Sequence, residues 1–263
     1  MPSLATVKAS NASYAPSYIP TAVFVGGTSG IGQAMAELLA RQLNGRVNII
    51  LIGRSKAAAD KIIAGFPTPP GEVKHEFIQC DASELKNVHE VSQTLLHRLE
   101  KINFLVLSPV SNSFSAVPTS EGLELAMVLR YYARAKFLYE LLPLLKNARA
   151  KGEEGRAMTV LGAAMGGKVD MNDLGLKKKW SIIRLAFQTG TYTDIMIKVQ
   201  WAFGHLGNHG IEHSPGTERE TPRHCIHTYV PGYGRYSCVE LSLVHEDAPS
   251  YHQTLRLYSR GLR

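Results

Sequence analysis

Gly26, Gly30 and Gly32 in "VGGTSGIG" (25–32) have the spacing G-x-x-x-G-x-G, where an aliphatic run gives way to a helical pattern. Glycine there permits a tight turn and lets backbone, rather than side chain, approach a ligand. The helix that follows offers unpaired N–H groups and a partial positive charge, which is what a pyrophosphate requires. Gly26, Gly27, Thr28, Ser29, Gly30, Ile31 and Gly32 are therefore the candidate dinucleotide loop. The next apolar run ends in "IGRSK". A carboxylate at that place would hold the ribose hydroxyls of NAD. Arg54 instead offers a guanidinium to a 2′-phosphate, with Ser55 and Lys56 beside it. NADP(H) is the expected cofactor, against the simpler reading of Arg54 as a surface residue. Asp81 closes a third run, where it either meets the adenine or caps the helix that begins in "DASEL".

These residues need a frame that gathers strand ends on one edge. Apolar runs at 21–27, 47–53, 75–81, 102–108, 157–162 and 225–230 read as strands. Helical stripes at 31–43, 56–64, 83–99 and 121–147 lie between them. Near-continuous aliphatic strands alternating with helices signal a parallel sheet covered on both faces. Right-handed crossovers make it a doubly wound, Rossmann-type α/β sheet. The expected organisation is a flexible N-terminal arm over residues 1–20, ended by Pro16 and Pro20, and a single domain over 21–263. Between Phe203 and His224 no periodicity is visible, and residues 233–263 hold one candidate strand, "YSCVELSLV".

With 263 residues, 44% of them hydrophobic and 19% charged, the chain has the makings of a full core, and disordered or fibrous classes are excluded. No apolar run has the length of a signal peptide or a membrane span, so a cytoplasmic chain without membrane partners is expected. Cys80, Cys225 and Cys238 have neither disulfide-like nor zinc-like spacing, which fits a reducing compartment. The formal charge of +7 is dispersed, and its one run, Lys177-Lys178-Lys179, reads as a solvated loop. A small molecule rather than nucleic acid is the expected partner. His205, His209 and His213 are spaced by four, but Gly204, Gly207 and Gly210 undermine a helix there, and no metal is expected.

Taken together, "VGGTSGIG" and the "PG" of Pro231 and Gly232 after the sixth run carry a likeness: residues 20–235 resemble the short-chain dehydrogenase/reductase family. In "GGTSGIG", "LRYYAR" and "DLGLKKKWS" the chain is similar to a branch from fungal secondary metabolism. The resemblance implies a homo-oligomer in which Pro231 and Gly232 touch the nicotinamide amide. It places Ser108, of Ser108-Pro109-Val110-Ser111, where the family has "NNAG" after the fourth strand. Since only the 31 residues 233–263 follow Gly232, the same comparison implies a sheet shortened at its C-terminal edge.

The family works with asparagine, serine, tyrosine and lysine. Counting thirteen residues back from the proline of Leu142-Pro143-Leu144 puts Arg130 at the asparagine position. Leu161-Gly162-Ala163-Ala164 has no hydroxyl at the serine position. Tyr192 matches the tyrosine, Met196 stands in place of the lysine, and Lys198 is two residues further on. Without that lysine a tyrosine stays near its ordinary pKa of about 10, able to donate a proton but a poor base. Reduction is thereby favoured over alcohol oxidation, and an iminium asks least, because hydride alone neutralises it. Arg130 is a fixed cation fit to orient a carboxylate, enolate or amide oxygen; the plainer reading makes Arg130 and Arg134 a solvated i,i+4 pair.

In these substitutions the chain resembles the NADPH-dependent reductases of fungal prenylated indole alkaloid pathways. That resemblance implies reduction of a cyclic iminium intermediate and control of an intramolecular Diels–Alder closure. It also implies an aspartate paired with the arginine: Met165 occupies the matching place, and Asp170 is the nearest carboxylate. Tyr131, Tyr132, Trp180 and Trp201 either shape an apolar pocket or pack the core. An ordinary carbonyl reductase, a pericyclase or binding protein that uses NADP only as a wall, and a degenerate relative remain the alternatives.

Overall fold

The computed structural model describes residues 3–68, 71–111, 113, 115–160, 166–206, 225–229 and 236–240. In chain order the elements are α1 (Leu4–Ala12), β1 (Thr21–Val25), α2 (Gly30–Gln42), β2 (Asn48–Gly53), α3 (Lys56–Ala64), β3 (His75–Gln79), α4 (Leu85–Arg98) and β4 (Phe104–Leu107). They continue with α5 (Leu125–Met127), a π-turn (Val128–Tyr132), α6 (Ala133–Ala150), β5 (Arg156–Thr159), α7 (Ile182–Leu206), β6 (Cys225–Tyr229) and β7 (Tyr236–Glu240). Strands β1 to β5 form one parallel sheet in the order β3-β2-β1-β4-β5, with Val23 opposite both Ile50 and Leu105.

Alternation along the strands explains why the runs are aliphatic throughout. Val23, Val25, Ile50, Ile52, Leu105 and Leu107 face one way, onto Val88, Val91 and Leu95 of α4 and Phe137, Leu141 and Leu144 of α6. Ala22, Phe24, Ile49, Leu51 and Val106 face the other way, onto Ala36 and Ala40 of α2 and Ala59 and Ile62 of α3. Both faces are therefore core, and each fully buried Leu, Ile or Phe contributes about 1.5–3 kcal/mol relative to exposure. Gly32, Ala36 and Ala40 are the buried residues of α2, small enough to seat that helix close against the sheet. Cys80 is a buried free thiol, its pKa pushed up to about 11 by that burial.

Three departures from the sequence reading matter. The run expected as a sixth strand of the main sheet forms β6, but β6 pairs antiparallel with β7 in a separate two-stranded sheet. The link of residues 230–235 is short, and short links favour antiparallel neighbours, whereas parallel pairing needs a long crossover. Residues 121–147, expected as one helix, start their helical course only at Leu125 and pass through the π-turn. Pro143 is accommodated inside α6 because it lies exposed, so the backbone bond it forfeits is on the solvent side.

The N-terminal segment is the third. Leu4–Ala12 forms a helix capped by Ser3 with no buried residue, and the chain after it is tied down. Arg46 donates to the carbonyls of Pro16 (3.1 Å), Ser17 (2.7 Å) and Tyr18 (3.4 Å). The Tyr18 hydroxyl accepts from Glu154 N at 2.9 Å, and the Tyr14 ring packs edge-on against Phe104.

Candidate active site

Because β1 to β5 are parallel, their C-termini share one edge, and the strand order reverses there between β1 and β4, the place where open α/β sheets bind ligands. The glycine loop follows β1 at that edge. Gly26 N donates to Ile52 O at 2.8 Å, and Gly26 turns with φ +81°. Ser108, at the end of β4, supports the turn from below: its backbone N donates to Val25 O (2.9 Å), and its hydroxyl donates to Val25 O (3.0 Å) and Gly26 O (3.3 Å). A Cβ on Gly26 would lie 2.8 Å from that hydroxyl, and one on Gly32 would lie 2.5 Å from Gly26 O. Ser108 thus acts on the loop rather than from within the cleft.

Above the loop the space is open. Gly30 has φ +57°, and a Cβ built there meets nothing within 4 Å. Ser29 precedes α2 without capping it through its side chain, whereas Ser55 caps α3 by accepting from Ala58 N at 3.2 Å. The first N–H groups of α2 are left without a side-chain acceptor beside a backbone cradle, which is the geometry that binds phosphate. Ile31 and Thr28 flank this cradle in sequence, with Thr28 packed over Gly53 at the end of β2. Arg54, next in line, is exposed and forms no ion pair with a described residue, while Lys56 is held by Asp60 at 2.7 Å. One Asp81 oxygen accepts from Ser83 N (3.0 Å) and Ser83 Oγ (2.7 Å), so this carboxylate shapes the turn into α4. Pro231 and Gly232 lie outside the described residues.

On the acceptor side the π-turn organises the cations. Ala133 N donates to Val128 O, five residues back, and this extra residue rotates the helix face. Arg134 is 1% exposed. Its Nε donates to Leu129 O (3.0 Å), Nη1 to Leu107 O (3.1 Å), Thr159 Oγ1 (2.6 Å) and Val160 O (2.8 Å), and Nη2 to Pro109 O (2.6 Å). The solvated reading of Arg134 is thereby corrected: it joins the ends of β4 and β5 through neutral oxygens. Burial, together with the Arg130 charge, pulls its pKa down to about 9, so it stays protonated at neutral pH. Since α6 runs back along the strands, Arg130 stands one turn further toward the open edge. Arg130 is partly buried, and its Nε has no hydrogen-bond partner among the described residues. Burial lowers its pKa, and the charge of Glu124 opposes that shift.

Tyr192 does not point a free hydroxyl into the cleft. It donates to Leu174 O at 2.9 Å and accepts from Gln188 Nε2 at 2.6 Å. Burial raises its pKa, with the Tyr131, Asp173 and Asp170 charges adding to this against the hydrogen bond from Gln188. Met196, at the lysine position, is buried in the core. Asp170, expected as the partner of Arg130, is engaged elsewhere: Arg184 Nη2 donates to it at 2.7 Å and Asn172 N at 3.1 Å. The carboxylate whose field reaches Arg130 is Glu124, whose oxygens cap α5 by accepting from Ala126 N (3.2 Å) and Met127 N (2.6 Å).

The Lys177–Lys179 loop is wrapped around Asp173, which accepts from the backbone N of all three lysines. Tyr131, Tyr132, Trp180 and Tyr192 pack around Ala126, Met127, Leu176 and Leu185, with Tyr131 and Tyr192 ring centroids 5.0 Å apart. The Trp180 Nε1 is buried without a hydrogen-bond partner among the described residues. His209 and His213 and residues 161–165 lie outside the described residues, among which no group of His, Cys, Asp and Glu is placed to hold a metal. Likewise, no described helix is long and apolar enough to cross a membrane.

Sequence reasoning missed Arg134, Glu124 and Gln188. For Arg134 a signal existed: it continues the buried stripe of Leu138, Leu141 and Leu145 at helical spacing.

Known proteins bear on this geometry. A family model described as short chain dehydrogenase matches residues 20–152. "Oxidoreductase AN1596" of Emericella nidulans is 34% identical over 199 residues, which is 75% of this chain and 58% of that protein. "Oxidoreductase andH" of Emericella variicolor is 30% identical over the same shares. The chain therefore spans less than two thirds of these relatives' length. Among solved structures, a metagenomic short-chain oxidoreductase in complex with NADP superposes with TM-score 0.51 at 17% identity, covering 71% of this chain and 77% of that one. A short-chain dehydrogenase from Sphingobium yanoikuyae in complex with NADPH gives 0.50 at 19%, covering 72% and 67%. At these identities the likeness speaks for the fold.

Proposed function

The chain belongs to the short-chain dehydrogenase family, and from that premise we propose that it is an NADP(H)-dependent reductase of a small, largely apolar, unsaturated substrate. The observation that carries this reading is the uncapped start of α2 above the Gly26–Gly32 cradle, with Arg54 exposed and unpaired at the next strand end. Backbone N–H groups of residues 28–32 hold the pyrophosphate, and Arg54 holds the 2′-phosphate. Ser55 caps α3, which fixes the base of Arg54. Asp81, just beyond β3, would border the adenine. NADPH-bound relatives and the chemistry of these donors support the assignment.

When bound, NADPH supplies a hydride (two electrons and one hydrogen) and is oxidised to NADP⁺. The chain's own part is to orient the acceptor and stabilise charge. Tyr192 spends its hydroxyl hydrogen on Leu174 O, so this reading assigns it no proton transfer. A carbonyl acceptor therefore takes its proton from water, and an imine arrives already protonated. Arg130 supplies the electrostatics. In the finer form of this reading the substrate is an imine or iminium alkaloid intermediate of fungal secondary metabolism, and the same pocket controls an intramolecular Diels–Alder closure. The committed tyrosine favours it, because an iminium needs no protonation after hydride arrives.

Two measurements test the reading. Tryptophan fluorescence on titration is expected to show NADPH binding about tenfold or more tightly than NADH, and Arg54→Ala to remove the difference. Equal affinities in the unaltered chain would contradict the phosphate assignment. Loss of absorbance at 340 nm, scored over a panel of cyclic imines and ketones, identifies the acceptor. With a turned-over acceptor, Tyr192→Phe is expected to keep the rate within about threefold, whereas removal of a general acid costs roughly 10²–10⁴-fold. NADPH binding with no oxidation by any acceptor would point to the pericyclase or binding-protein alternative.

A further inference from the structure

Arg134 carries its charge into the interior with only neutral oxygens around it, those of Leu107, Pro109, Leu129, Thr159 and Val160. No ion pair among the described residues compensates it, although a buried cation is ordinarily paired. Arg130 stands one turn nearer the strand ends, its Nε buried and without a partner among the described residues. Both oxygens of Glu124, the carboxylate that influences Arg130, are already accepting the N–H groups of Ala126 and Met127. In the cluster that holds Tyr131 and Tyr132, the next residues after Arg130, Trp180 has a second buried donor without a partner among the described residues. Buried polar atoms almost always find partners, so unmet atoms deserve an explanation. Here the two orphaned atoms are both donors, and the local charge is positive.

We propose that the acceptor site is selective for an anion: it takes a flat, aromatic or similarly apolar substrate bearing a carboxylate or enolate oxygen, which Arg130 binds and the charge on Arg134 reinforces. The inference rests on the reductase reading only for what happens next to that substrate; the anion binds whether or not hydride follows. It also narrows the acceptor. A purely cationic iminium is repelled by two guanidiniums, while one that carries its own carboxylate, a zwitterion, is drawn in. The aromatic wall supplies the apolar contact, and Trp180 Nε1 a further hydrogen bond to an acceptor on the ligand.

Indole-3-acetate and its neutral isostere indole-3-acetamide are suitable probes, titrated calorimetrically into the full chain. NADP⁺ is titrated first and separately, so that failure of the cofactor reading is seen in that step alone; the probes are then added with or without it. The acetate is expected to bind about tenfold or more tightly than the amide at low salt, with the preference shrinking as salt is raised. Arg130→Met should abolish the preference while leaving the melting temperature close to that of the parent, and Arg130→Lys should retain part of it. Equal affinity for the two probes, no binding of either, or a preference that survives Arg130→Met would each overturn the proposal.

Discussion

Arg134→Leu is expected to destabilise the fold by about 2–4 kcal/mol, a fall in Tm on the order of 5–15 °C. Two effects oppose each other. Removing a buried, uncompensated charge relieves desolvation, and well-packed apolar replacements of buried ions are sometimes neutral or even stabilising. Against this, Pro109 O and Val160 O lose the guanidinium donor that each has, at roughly 1–3 kcal/mol per buried acceptor. Leu107 O is spared, since it also accepts from Val160 N at 2.8 Å. The carbonyl loss prevails because leucine brings no donor and leaves only the sheet's own hydrogen bonds, such as Val160 N to Leu107 O, between the ends of β4 and β5. Arg134→Lys supplies the discriminating comparison. It keeps the charge but cannot fork to acceptors on both strand ends, so it should recover less than half of the lost stability. Thermal melts of both variants read this out, and a leucine variant as stable as the parent would show that the cluster does not hold the edge together.

The sheet was legible because its strands are buried on both faces. Runs such as "TAVFV" and "NIILIG" admit no amphipathic alternative of that length between turn signals. The glycine loop was legible for a related reason: Gly26 and Gly32 are demanded by local backbone geometry, which sequence spacing encodes directly. Arg54 could be placed just beyond a strand end from the sequence, and it is exposed there.

What escaped depends on contacts between distant segments or on register. The π-turn leaves no compositional mark, since one extra residue in a hydrogen-bonded ring changes no residue type. It nevertheless decides where Arg130 and Arg134 face. Asp170 was the nearest carboxylate in sequence to the expected aspartate, yet its partner is Arg184, brought to it by a loop that Asp173 folds around its own carboxylate. Glu124 acts on Arg130 from six residues upstream, but its visible duty is to cap α5. Likewise Tyr192 sat at the right offset for a proton donor, while its hydroxyl answers to Gln188 and Leu174. Motif position locates a residue on an element; only packing says which way its chemistry is spent.

The glycine loop offers the cleanest separation of fold from cofactor. Gly32→Ala places a Cβ 2.5 Å from Gly26 O, with the Ser108 hydroxyl also in its way. Backbone cannot yield as a flexible side chain does, so the turn must open, at an expected cost of about 1–3 kcal/mol together with loss of measurable NADPH binding. Gly30→Ala is the counterpart. Its Cβ projects into open space, so the fold bears only the left-handed backbone strain at φ +57°, roughly 1–2 kcal/mol. That same Cβ enters the cradle over the start of α2, where phosphate is expected, and NADPH affinity should fall by about a hundredfold or more. Adding Ser108→Ala to Gly32→Ala removes one of the two obstructions and should restore part of the stability, with little return of binding. Melting temperature and NADPH titration on the three variants separate the effects. If Gly30→Ala bound NADPH as tightly as the parent, the open space above the loop would not be the phosphate site, whatever the cost to the fold.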